Sequence, residues 1–142
     1  MAFEGLGFTF NVIAAASGIH IPMSRAQTIS FVTFEDDGST ILTLRESIGG
    51  ASEQLLPKIE HFWKSPGVGG AWTEVTQTAA ATADLGSDAV NDSMVVTIRA
   101  RQLSEGFDSV EATVSGATIC MAFIYDLAEM ADPSSLPSNL IA

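Results

Sequence analysis

The chain breaks into short stretches in which apolar and polar residues alternate, rich in Val, Ile, Thr and Phe and separated by Gly, Pro, Asp and Ser. This period of two puts every second side chain on one face of an extended strand, and β-branched and aromatic residues suit a pleated, half-buried surface. The segment from Thr28 to Phe34 is the clearest case, with Ile29, Phe31 and Thr33 on one face. From Phe107 to Val114, Phe107, Ser109, Glu111 and Thr113 alternate with Val110, Ala112 and Val114. Met94 to Ala100 reads as a further strand, and residues 117–127 as the most apolar one. Seven or eight strands with no long helical period predict an all-β fold, an antiparallel β-sandwich or jelly roll with extended N- and C-terminal arms. Residues 1–27 form the N-terminal arm and a first short strand, 28–130 the sandwich and 131–142 the C-terminal arm. A chain of 142 residues fits one domain, which at this size buries about 70% of its unfolded surface without crosslinks.

The connections carry their own signals. Asp37-Gly38 between two alternating runs predicts a hairpin from Phe34 into Thr40–Leu44, because Asp and Gly tolerate positive φ. The adjacent acids Glu35, Asp36 and Asp37 lack the spacing of a calcium loop. Residues 45–57 read as a connection with one helical turn near Glu53–Leu56, and residues 79–92 as a loop. Ser65–Gly70 is a turn-rich loop that makes a hairpin of residues 58–64 and 71–77, with Trp63 and Trp72 as cross-strand partners or, in a second reading, as a sugar-stacking platform.

Charge excludes several functions. Six basic residues against seventeen acidic give a net charge of −11. A nucleic-acid binder needs clustered cations to displace counterions from phosphates, and an anionic membrane needs the same. Neither is expected as a partner. A charged share of only 16% and a mean hydropathy of +0.29 have two readings: a surface partly covered by partners, or a score raised by small residues. Gly5 to Ser24 carries no charge, but Glu4 precedes it and Asn11, Ser17, Gly18, His20 and Pro22 interrupt it. It fits neither a signal peptide nor a membrane span.

No motif carries catalysis. Cys120, the only cysteine, sits in an apolar run without the electropositive neighbour a reactive thiol needs. His20 and His61 belong to no metal-spacing motif, and structural roles are expected for both. Phosphate loop, dinucleotide fingerprint and nucleophile elbow are all missing. The expectation is a non-enzymatic chain with no cofactor and no metal. Apolar residues concentrate at both ends instead: Phe3, Leu6 and Phe8 near one, and Pro133, Leu136, Pro137 and Leu140 near the other. These are the candidate partner-binding residues, since apolar anchors in a terminal segment dock on the chain's own core or on a neighbour.

From about Lys58 to Leu140 the chain resembles small structural proteins of tailed bacteriophages, particularly those of actinobacteria. The resemblance lies in Trp72-Thr73-Glu74-Val75-Thr76-Gln77-Thr78, in Gly106-Phe107-Asp108-Ser109-Val110-Glu111-Ala112-Thr113-Val114, and in Ala122-Phe123-Ile124-Tyr125-Asp126-Leu127 leading to Ser135-Leu136-Pro137. It implies a minor capsid or head decoration protein, bound as a homo-oligomer to the major capsid protein on the exterior of the virion and assembled in the host cytoplasm. A carbohydrate-binding β-sandwich module and a tail-associated phage structural protein are the alternatives.

Overall fold

The computed structural model describes residues 10–23, 26–35, 40–67, 70–86, 93–116 and 118–127. Among the described residues there are eleven strands: β1 Phe10–Ala14, β2 Ile21–Pro22, β3 Ala26–Glu35, β4 Ile41–Ile48, β5 Ala51–Leu55, β6 Ile59–Ser65, β7 Thr73–Ala80, β8 Thr82–Asp84, β9 Ser93–Arg99, β10 Ser109–Val114 and β11 Thr118–Leu127. A 3-10 turn at Ala100–Gln102 is the only helical element among the described residues. The strands form two antiparallel sheets, packed together as the alternation predicts. The larger has the order β1-β11-β3-β9-β6-β7, and the smaller β2-β10-β4-β5, with β8 pairing β4.

The core lies between the sheets. Ile29, Phe31, Met94, Val96, Ile98, Ala122 and Ile124 face it from the larger sheet, and Leu42, Leu44, Val110 and Ala112 from the smaller. Register makes these layers: Phe31 stands opposite both Ala122 and Val96, and Ile29 opposite both Ile124 and Ile98. Each large apolar side chain so enclosed contributes about 1.5–3 kcal/mol.

The expected hairpin at Asp37-Gly38 is overturned. Those two residues lie outside the described ones, but the strands on either side of them belong to different sheets. Both edges of β3 are taken by β9 and β11, so β4 has nowhere to pair with it. Successive strands exchange sheets at most connections, and only β4-β5 and β6-β7 are hairpins between consecutive strands. The helical turn expected near Glu53 is also overturned. β5 runs there, turned back on β4 by Gly49 (φ +57°) and Gly50 (φ +87°) between the paired residues Ile48 and Ala51. Two positive φ angles are what the twist of a two-residue hairpin demands. Every residue of β5 is exposed, so it shows no alternation. The strand expected to end at Gln77 continues to Ala80, turns at buried Ala81 and enters the smaller sheet as β8.

Candidate functional site

The outward face of the larger sheet carries an apolar row beside polar positions such as Ser30 and Thr97. Trp63 stands opposite Val95, Val95 opposite Val32, Val32 opposite Met121, and Met121 opposite Ala14. This row crosses five strands, about 19 Å at ~4.8 Å per strand. Beside it Phe34 stands opposite Ile119, directly opposed positions whose side chains come within contact. Ile119 is 66% exposed, Phe34 45% and Trp63 42%, while Val32, Val95 and Met121 are half-buried. Contiguous apolar surface of this kind marks interaction sites on folded proteins, whereas scattered apolar residues do not.

The two indoles are not directly opposed as expected. Trp63 pairs with Glu74, which puts Trp72 two residues along, at the diagonal position. Trp72 is 48% exposed, so both rings reach solvent at the same end of the β6-β7 hairpin.

The few cations gather elsewhere on this sheet. Lys58, Arg99 and Arg101, half of the chain's Lys and Arg, line a groove of about 330 Å³ together with Glu60, His61, Thr97 and Gln102. Arg99 and Arg101 also border a second groove with Gln27 and Thr28. Among the described residues, a chain of net charge −11 thus gathers three cations around one groove.

The smaller sheet differs. Ser109, Glu111 and Ser47 alternate away from Val110, Ala112 and Leu44, and should face solvent. All three are buried. The segment leading into β2 covers them: Gly18 N–H donates to Glu111 Oε1 (3.1 Å), and His20, 4% exposed, sits over this face. His20 Nδ1 is 3.2 Å from Ser47 Oγ. Its Nε2 is 3.0 Å from Glu53 Oε1 and 3.6 Å from Glu111 Oε2. One imidazole therefore links β4, β5 and β10, and the three atoms His20 Nε2, Glu53 Oε1 and Glu111 Oε2 converge. An imidazole and two carboxylates are able to ligate a metal.

Two other carboxylates, Glu46 and Asp108, accept two hydrogen bonds each. Glu46, 1% exposed, accepts from Gln54 Nε2 (2.6 Å) and from the Ser104 N–H (2.8 Å). Burial alone would push its carboxyl up, but the hydrogen bonds from Ser104 and Gln54 and the charge of Lys58 prevail and hold it below the ordinary value. Asp108 lies low as well, because the Gly49 N–H and the Ser109 hydroxyl donate to it. Cys120 is buried on the core side of β11, where loss of hydration pushes its thiol up to about 12.

The sequence-predicted partner-binding residues Phe3, Leu6, Phe8, Pro133, Leu136, Pro137 and Leu140 lie outside the described residues. His61 is exposed in the cationic groove, whereas His20 joins the carboxylate cluster that sequence reasoning missed. The apolar face left a signal, since Val32 and Phe34 alternate with Ile29 and Phe31 and make β3 apolar on both sides, the mark of a strand covered on both faces. Comparison of the chain with family models, with curated proteins and with solved structures gives no match.

Proposed function

We propose that the protein is a non-enzymatic structural component that docks through the outward face of its larger sheet, and that its partner is the outer surface of a bacteriophage capsid, as the sequence resemblance implies. The observation that carries the docking reading is the unbroken row Trp63–Val95–Val32–Met121 with Phe34 and Ile119 beside it. An apolar centre bordered by a cationic groove suits a protein partner with an apolar patch and an acidic rim, by charge complementarity. The capsid assignment rests on the resemblance alone. The test is co-sedimentation of the purified chain with capsids, comparing wild type with the double variant Phe34→Lys/Ile119→Lys. Wild-type occupancy that falls to background in the variant supports the reading. Equal occupancy of both proteins sinks the docking face, and no occupancy by wild type sinks the capsid assignment.

The exposure of Trp63 and Trp72 favours one second reading, a carbohydrate-binding module in which sugar rings stack on the indoles. Oligosaccharide titrations followed by tryptophan fluorescence test it. A saturable change that disappears in Trp63→Ala supports sugar binding.

A further inference from the structure

We propose that His20, Glu53 and Glu111 bind a single divalent transition-metal cation of the zinc class, a site separate from the docking face and independent of that reading. Two buried glutamates in the smaller sheet make the case by contrast. Glu46 has a hydrogen-bond donor at each oxygen. Glu111, whose side chain is 4% exposed, has the Gly18 N–H at Oε1 and no hydrogen-bond partner at Oε2. A buried carboxylate oxygen without a donor is costly and rare in folded proteins. His20 Nε2 stands 3.6 Å from it, beyond hydrogen-bond reach.

A proton on Nε2 does not satisfy this arrangement. It serves Glu53 Oε1 at 3.0 Å and leaves Glu111 Oε2 as it was. A metal ion serves all three atoms. With ligands at ~2.1 Å in tetrahedral geometry, ligand atoms stand about 3.4 Å apart. The observed 3.0 and 3.6 Å bracket that value, and one ligand atom from each of the three residues lies within 4.8 Å of the others. Glu53, at 38% the exposed member, is the side chain free to swing inward and close the set. Metal at Nε2 requires the ring proton on Nδ1, and Ser47 Oγ lies there to accept it. The imidazole selects a zinc-like ion over calcium or magnesium, which prefer all-oxygen sites. Bound there, the ion would tie the segment before β2 to β10 and to the β4-β5 hairpin.

Isothermal titration of Zn²⁺ into the untagged, chelator-treated full chain tests the site, with thermal melting as a second readout. The expected result is one Zn²⁺ per chain and a raised melting temperature. Glu53→Gln, on an exposed edge strand, should keep the fold by circular dichroism while weakening zinc binding about tenfold or more. Glu111→Gln should do the same, and His61→Ala should change nothing. No saturable binding by wild type, or unchanged affinity in both glutamine variants, overturns the proposal.

Discussion

The outward faces of the two sheets break the usual rule in opposite directions. On the larger sheet, apolar side chains that point away from the core stay half-exposed across five strands. On the smaller sheet, polar side chains that point away from the core are buried beneath the segment holding Gly18 and His20. Outward is therefore not the same as solvated. Exposed apolar surface is raised in free energy until a partner covers it. A buried polar cluster is raised until every oxygen has a donor or a cation. The two proposals give the faces different complements: a protein surface for one, an ion for the other.

The contrast breaks hardest at His20. His20→Ala removes the imidazole that sits against Ser47, Glu53 and Glu111, and leaving buried polar atoms without their partner costs about 1–3 kcal/mol. The matched change on the other face, Ile119→Ala, should move stability by less than ~0.5 kcal/mol, as surface substitutions do. Urea unfolding with unchanged slope measures both. Equal costs would mean that the two faces are not different in kind.

Next comes the loss of docking. Phe34→Lys with Ile119→Lys should weaken partner binding about a hundredfold, the scale for placing charge in the desolvated centre of an interface, while leaving the urea midpoint nearly unchanged. A double variant that unfolds would place those side chains in the core instead of on an interaction face.

How far these faces were legible differs for the same reason. The strands announced themselves locally, because Ile29, Phe31 and Thr33 alternate wherever β3 ends up. The apolar outer face was also visible, in Val32, Phe34, Ile119 and Met121. What no local pattern carried was pairing. β3 takes β9 and β11 as neighbours, more than fifty residues away in sequence, and so the local Asp37-Gly38 signal lost to distant partners. The His20–Glu53–Glu111 cluster was illegible for that reason: it exists only once β2, β10, β4 and β5 lie side by side. β5 was missed because its exposed residues need no pattern, although Gly49-Gly50 did mark its turn.

Acid gives a smaller and more specific effect. Glu46 and Asp108 are held below their ordinary values in the folded chain. A depressed folded-state value means that the group binds fewer protons folded than unfolded. Its stabilisation is complete above the unfolded value and is lost as pH falls through the folded one. Stability should thus decline below about pH 4.5, the ordinary value for Glu46. Glu46→Gln should cost about 1–2 kcal/mol at neutral pH, through loss of charge-assisted hydrogen bonds, and should flatten the acid limb. Urea midpoints from pH 7 to pH 3 check both, and an unaltered acid limb would remove Glu46 from the account.

The finest test shifts one residue along β11 and changes stability least. Cys120 points to the core and Ile119 to the outward face, so neighbouring positions should differ entirely in reactivity. The Cys120 thiol, pushed up to about 12, carries roughly a thousandfold less thiolate at pH 8 than an ordinary cysteine near 8.5. It should resist Ellman's reagent until urea unfolds the chain. In a Cys120→Ala background, Ile119→Cys should react at the rate of a free thiol, and bound partner should then slow it. Rapid labelling of native Cys120 would mean that β11 is turned by one residue. A period of two allows no intermediate arrangement, so every assignment of inward and outward side chains on β11 would then reverse, and its pairing with β1 and β3 would shift by one residue.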